Sequence, residues 1–244
     1  YGAVATPHVF IFDKHLKLRY NGRMDNGRRR VGLVEKNEAR DAISAILEGK
    51  KIEVVKTRPV GCTTKWKEKS EIVAGEDRKW KAQPVTVEKA DAKTLRKLVA
   101  NRGRTGMRLI NLWSTSCGPC VAEFPDLVEI YRQYSWQEFE FIPISLDSVD
   151  DEGKVLRFLK RTHCGLSPRT KPFLDEEKRV TNNYLFDGDT EDLAKAIDPT
   201  WDGALPFTLL VGKNGEVLFR HSGVIDPRVL RKKIVEQVWQ RSEE

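Results

Sequence analysis

No apolar run in the 244-residue sequence approaches the ~18 residues that a membrane-spanning helix needs, so the chain itself is not expected to cross a bilayer. Cysteine is scarce: four in all, far below the density of a small disulfide-stapled scaffold, and a chain of this length can bury a core of its own. The sequence has no second C-x-x-C and no H-x₃₋₅-H, which leaves its one C-x-x-C two ligands short of a zinc site. It carries no nucleic-acid-binding motif. Nor does it open on Met or on a basic-then-apolar leader. Its first residue is Tyr1, as expected of a processed product.

What the sequence does have is charge, unevenly spread. There are 43 Lys+Arg against 36 Asp+Glu, a formal net charge of +7, with 39% hydrophobic and 32% charged residues, the balance of a soluble folded protein. The excess of positive charge falls in residues 1–82. Arg28-Arg29-Arg30, Lys65-Trp66-Lys67 and Lys79-Trp80-Lys81 are its densest points. Such a segment could meet nucleic acid, anionic lipid or an acidic partner. Without a recognition motif a solvated face is the plainer reading, and no specific nucleic-acid partner is expected.

Residues 83–244 read as one α/β unit. Residues 84–87 lead in, and Asp91 caps a helix with Leu95, Leu98 and Val99 inward. Residues 107–113 are apolar almost throughout, the pattern of a strand buried on both faces. A helix should follow Cys117, with Val121, Phe124, Leu127, Val128 and Tyr131 on its inner side. A second buried strand covers 139–146, and Val155, Phe158 and Leu159 mark another helix. A polar, irregular stretch then runs to about Asp202. Asn214-Gly215 between the apolar runs 206–212 and 216–221 predicts a hairpin, because both residues tolerate positive φ. A closing helix starts near Asp226-Pro227, with Leu230, Ile234, Val238 and Trp239 facing the core. A β-α-β unit joined to a β-β-α unit gives a mixed sheet with helices on both faces.

Residues 1–56 repeat only the second half of that plan. Strands are predicted at 9–12 and 16–20, then a helix capped by Asn37 with Ala39, Ile43, Ile46 and Leu47 inward, stopped at Gly49. Two strands and a helix bury too little apolar surface to stand alone. This half-domain is therefore expected to pack against upstream chain, another molecule or the C-terminal domain. Residues 57–82 read as a polar connector broken by Pro59, Gly61 and Gly75.

The chemistry is expected at Cys117-Gly118-Pro119-Cys120, where a buried strand gives way to a helix. A cysteine at or before the first turn meets unpaired backbone N–H groups and the positive end of the helix dipole, which favour its thiolate. Cys120, one turn deeper, is placed to close a short disulfide ring. Pro119 is tolerated because the first turn needs no N–H, and Gly118 leaves the approach to the sulfurs open. Cys117 would attack a disulfide and Cys120 would resolve the mixed disulfide. A structural loop disulfide and half of a metal site are the competing readings.

Asn111-Leu112-Trp113, the C-G-P-C motif, Glu123-Phe124-Pro125, Trp201-Asp202-Gly203-Ala204-Leu205-Pro206 and the Asn214-Gly215 hairpin together resemble the thioredoxin superfamily. Within it, residues 83–244 look most like the extracytoplasmic thiol–disulfide reductases of the TlpA and ResA type. The resemblance implies a thioredoxin-like α/β/α sandwich with a mixed sheet. Thr6-Pro7, the first hairpin and Gly61-Cys62 resemble the C-terminal half of a peroxiredoxin-like (redoxin) thioredoxin fold, an incomplete ββα half-domain. The resemblance implies a cis peptide bond at Leu205-Pro206 facing the cysteines, with Pro7 as its counterpart in the N-terminal half. It makes Glu123 an acid that tunes the cysteines' proton affinities, where the residue pattern alone also allows a solvated helix glutamate. Substrate would meet Trp113, Ser116, Gly118, Pro119 and Leu205, although Trp113 also reads as a core ring. The residue before the first cysteine is commonly Trp in this family. Here it is Ser116, which removes an apolar platform for substrate.

The expectation is a thiol–disulfide oxidoreductase acting as a reductase, with no cofactor or metal beyond the Cys117–Cys120 couple. Its partners would be a disulfide-containing protein, an upstream electron donor and, if one exists, a complementary redoxin fragment or adjacent redoxin domain. Its compartment would be the periplasm or another extracytoplasmic space. The alternative is a copper-binding carrier using Cys117, Cys120 and His221, since thiolate with imidazole suits that metal. Cys62 and Cys164 are isolated, either free buried thiols or partners in a second disulfide. His163 beside Cys164 is no dyad, because adjacent residues face apart.

Overall fold

In the computed structural model a small N-terminal unit, Tyr1–Gly75, and a larger one, Glu76–Glu244, fold around separate cores. The structure describes residues 1–27, 34–64, 66, 70–102, 106–136 and 138–240. Arg28-Arg29-Arg30, Lys65 and Lys67 lie outside them, as do the side chains of Val238 and Trp239.

In the first unit, β1 (Ala5–Thr6) is followed by β2 (Val9–Phe12), β3 (Leu18–Gly22), helix α1 (Glu38–Leu47) and β4 (Cys62–Thr63). β2 and β3 pair antiparallel, Ile11 opposite Tyr20, and β1 pairs antiparallel with β4, Thr6 opposite Cys62. The second strand starts later than expected: Leu16 takes φ 58° in a turn whose Asp13 carboxylate accepts the N–H groups of His15 and Lys17. The helix also turns differently. Ile43 and Leu47 are 45% and 81% exposed, whereas Ala39 and Ala42 pack with Ile52 against the fully buried ring of Tyr20. Ile46 packs against this cluster as expected, and the ring anchors itself by donating to the Arg23 carbonyl at 2.6 Å. Arg23 also pairs with Glu38, drawing the helix's first turn inward. Asn37 occupies the N-cap without a side-chain capping bond. The polar stretch expected as a connector holds β4 and a helix, α2 (Ser70–Lys81), within which the division between the units falls.

The second unit contains β5 (Glu88–Ala90), α3 (Ala92–Ala100), β6 (Met107–Trp113), α4 (Gly118–Tyr134), β7 (Phe139–Ser145), α5 (Glu152–Arg161), α6 (Lys171–Glu177), β8 (Tyr184–Phe186), α7 (Thr190–Ile197), β9 (Phe207–Gly212), β10 (Val217–Ser222) and α8 (Pro227–Gln240). The sheet order is β10-β9-β6-β7-β8-β5. β6, β7, β8 and β5 run parallel to one another, and β9 pairs antiparallel with both β6 and β10. This is the mixed sheet of a thioredoxin-like fold. Along β6, Leu109 and Trp113 enter the core cluster that includes α4, α5 and α8, while Ile110 and Leu112 enter the one that includes α3 and α7.

Three elements fall in the stretch read as irregular. β8 is Tyr-Leu-Phe, too short to establish a period of two, and α6 and α7 span only 7 and 8 residues. The lead-in strand lies at 88–90 instead of 84–87, fixed by pairing with β8. In the β9–β10 hairpin Gly215 alone takes positive φ (75°): its N–H returns to the Gly212 carbonyl, the pattern of a three-residue loop with glycine in the left-handed place.

At the start of β6 and β7, two arginines and two glutamates form a closed ring. Arg108 contacts Glu140 at 2.7 Å and Glu177 at 2.5 Å, and Arg179 contacts the same two at 2.8 and 2.6 Å. Burial pushes the Glu140 carboxyl up, but Arg179 and Arg108 outweigh it and hold it below its ordinary value. Its contribution to stability is therefore present at neutral pH and is lost as the pH falls through that depressed value. Glu140→Gln is expected to lower the unfolding free energy by about 3–5 kcal/mol at neutral pH, because it leaves two buried cations short of a partner. Urea titrations at a series of pH values check this, and the gap from wild type should narrow on acidification below the usual carboxyl range.

Candidate functional site

β6 ends at Trp113 and α4 begins at Gly118, so residues 114–117 carry the chain from strand to helix. Cys117 is the N-cap of α4, with φ −84° and ψ 102°, and its sulfur accepts the Cys120 N–H at 3.3 Å. It thus meets an otherwise unpaired amide of the first turn at the positive end of the helix dipole. Cys117 and Cys120 are bonded to each other, Sγ–Sγ 2.09 Å and Cα–Cα 5.3 Å. Their access to solvent differs: Cys117 is half-buried, while Cys120 is 1% exposed. Ser116, Gly118 and Pro119 are exposed beside the accessible sulfur, and a Cβ on Gly118 would meet nothing within 4 Å.

Pro206 arrives from the neighbouring strand. Leu112 pairs with Phe207, which sets Pro206 across from Trp113 at the end of the sheet where the 114–117 segment departs. The Leu205-Pro206 bond is cis, as is Thr6-Pro7. Leu205 is half-buried and packs against both core clusters. The Pro206 carbonyl accepts the Gly223 N–H at 2.8 Å.

Glu123 lies one turn beyond Cys120 on the same face of α4 and is 4% exposed, not a solvated helix residue. Burial raises its carboxyl above the ordinary value, and hydrogen bonds from the Ile225 N–H (2.9 Å) and Asn111 Nδ2 (3.2 Å), with His221 nearby, oppose that rise. A buried acid of this kind can accept a proton from an adjacent thiol and return it. Trp113, a residue expected to meet substrate, is 1% exposed and packs on Phe124 and Phe158 at 4.7 and 4.8 Å, so it belongs to the core. Its position on a strand buried on both faces explains the difference.

The metal set is not assembled. Among the described residues no group of three or more His, Cys, Asp or Glu is placed to hold an ion. His221 stacks on Phe219, and its Nε2 lies 3.1 Å from the Val224 carbonyl oxygen. Cys62 and Cys164 are both free. Cys62 is exposed, not buried. Cys164 is buried, donates to Asn183 Oδ1 at 3.2 Å, and has its thiol pushed well above the ordinary value by burial.

One residue of the site escaped the sequence. Asp147, two residues beyond β7, accepts from the Thr115 N–H (2.8 Å), Thr115 Oγ1 (2.5 Å), Ser114 Oγ (3.2 Å) and Ser145 Oγ (2.7 Å), and Ser114 in turn bonds Ser116 at 2.8 Å. Burial pushes its carboxyl up, but these donors prevail and hold it low, so it is charged at neutral pH. Asp147 fixes the segment that delivers Cys117. The available signal was a hydroxyl run, Ser114-Thr115-Ser116, after one buried strand and an acid after the next. Asp147→Ala is expected to destabilise the protein by about 2–3 kcal/mol by stranding these donors and to slow alkylation of reduced Cys117. Thermal unfolding and iodoacetamide kinetics on the reduced chain test it.

Comparison with known proteins places these features in a family. The family model described as Redoxin matches residues 81–238. Thiol-disulfide oxidoreductase ResA of Geobacillus kaustophilus is 31% identical over 109 residues, 44% of this chain and 49% of that protein. ResA of Oceanobacillus iheyensis is 26% identical over 110 residues, 45% of each. The chain therefore spans about half the length of the curated relatives it matches. Among solved structures, a secreted thiol-disulfide isomerase from Corynebacterium glutamicum aligns with a TM-score of 0.42 and 14% identity, over 55% of this chain and 71% of that one. The chain belongs to the redoxin family, within the thioredoxin superfamily.

Proposed function

We propose that this chain is a thiol–disulfide oxidoreductase whose redox group is the Cys117–Cys120 couple, working as a reductase of protein disulfides. The observation that carries this reading is the pairing of an accessible sulfur at the N-cap of α4 with a buried sulfur one turn below it. In the reduced form the Cys117 thiolate attacks a substrate disulfide. A Cys117–substrate bond forms, and the first substrate sulfur leaves as a thiolate. Glu123 takes the proton of the Cys120 thiol, and the Cys120 thiolate attacks the Cys117 sulfur. The intramolecular disulfide closes and the second substrate sulfur departs. Two electrons have then passed to the substrate, and a dithiol donor returns the couple to its reduced form by the same steps in reverse.

The pair needs no further cofactor for this exchange. An exposed Ser116 beside Cys117 suits an extended polypeptide bound through backbone contacts more than one held by an apolar platform. The partners are a disulfide-bearing protein, an upstream donor and, where one exists, a redoxin domain completing the N-terminal ββα half. The compartment that fits this chemistry and the ResA likeness is extracytoplasmic. No helix among the described residues is long and apolar enough to cross a membrane.

Cys117→Ser is expected to reduce the rate of insulin disulfide reduction by at least about 100-fold, to the uncatalysed background. Cys120→Ser should instead accumulate a covalent Cys117–substrate adduct, visible on a non-reducing gel and released by dithiothreitol. A Cys117→Ser protein as fast as wild type overturns the reading.

A further inference from the structure

β6 is buried at all seven positions, yet its fifth residue is an asparagine. Asn111 shares the α4-facing side of the strand with Leu109 and Trp113. Its Nδ2 reaches Glu123 Oε1 at 3.2 Å and Thr208 Oγ1 at 3.1 Å, while its Oδ1 is buried with no hydrogen-bond partner. The other carboxyl oxygen, Oε2, takes the Ile225 N–H at 2.9 Å. This arrangement fits an ionised Glu123. Two donors meet two acceptors, and one amide oxygen is left idle.

A protonated Glu123 needs an acceptor for its new O–H, and turning the amide to supply one would carry Nδ2 to the place where Oδ1 now has no partner, stranding its two N–H groups. We propose that Asn111 is a positioning residue that holds Glu123 in its ionised form, with Thr208 fixing which way the side-chain amide points. The inference rests on the dithiol reading above, in which Glu123 takes the Cys120 proton. Among the described residues, the titratable groups whose charge reaches Glu123 are Asp126 from its own helix and His221 from β10, and Cys120 lies one turn before it on that helix. β6 and β9 present only uncharged Asn111 and Thr208, and the loop before α8 presents the Ile225 N–H.

The test is the pH dependence of single-turnover reduction of an aromatic disulfide by the pre-reduced full chain. Glu123→Gln should remove one limb of the profile, identifying that limb as Glu123's. Asn111→Leu, which can neither donate nor accept, should move the limb up by about one pH unit or more, because the carboxylate loses a donor in a buried site. Thr208→Val should move it the same way by less. An unmoved limb in folded Asn111→Leu overturns the proposal. Should that variant not fold, an unmoved limb in Thr208→Val overturns it, as does a Glu123→Gln profile identical to wild type. Cys117→Ser serves as the separate control: full activity there overturns the oxidoreductase reading itself, whereas its inactivity together with an unmoved limb overturns the role of Asn111 alone.

Discussion

A sulfur can cap a helix only if the chain reaches that helix extended and held still, and much of the larger unit meets this requirement. β6 is paired along its length, parallel with β7 and antiparallel with β9, so Trp113 ends at a fixed point. The four residues beyond it have no strand partners of their own. Asp147 supplies the lack by gathering the Thr115 amide and two hydroxyls from the segment. At the far side of the junction the Cys120 N–H closes on the Cys117 sulfur. Displacing the cap would leave an amide unpaired and turn the accessible sulfur away from the dipole, so sulfur chemistry and helix geometry are one constraint.

Two of the buried carboxyls in this unit, Glu140 and Glu123, respond to protons in opposite senses. Glu140 is flanked by Arg108 and Arg179 and held low, which makes its charge a source of stability at neutral pH. For Glu123 burial dominates and raises it, so its folded form binds a proton more readily than the unfolded chain does. As pH rises through the usual carboxyl range toward that raised value, Glu123 works against the folded state. A group retained at such a disadvantage, beside a buried cysteine, is where proton transfer is to be sought. The ring at the start of β6 and β7 and the acid beside the cysteines thus divide stability from chemistry along the same strands.

Much of this was legible in the sequence where elements are long or chemically marked. The mostly apolar run of β6, the C-G-P-C junction and the apolar face of α4 fix the centre of the fold by periodicity and capping alone. The cis bond at Pro206 came from family likeness, since an X-Pro dipeptide by itself favours trans. What could not be read were features created by tertiary pairing. β8 exists because β7 and β5 offer it partners on both sides. Ile43 and Leu47 satisfy helical periodicity yet point outward, because the space beneath α1 is taken by Tyr20. Trp113, by contrast, already read as a core ring, and strand alternation puts it there.

Local rules bend at Asn111 and Glu123. An amide inside a strand covered on both faces contradicts the pattern of its neighbours, and consistency across levels would put a Val or Ile there. Asn111 is tolerated because a carboxyl and a hydroxyl lie within reach. Glu123 in turn is tolerated inside α4's apolar face because the Ile225 amide and Asn111 both serve it. Neither polar residue could be buried without the other: remove the amide and the acid keeps one donor, remove the acid and the amide keeps only a hydroxyl. Their mutual dependence joins β6, α4, β9 and the loop before α8 at one point. A packing requirement satisfied by leucine or valine would produce no such convergence, so the departure from the apolar pattern marks the site more sharply than the pattern itself does.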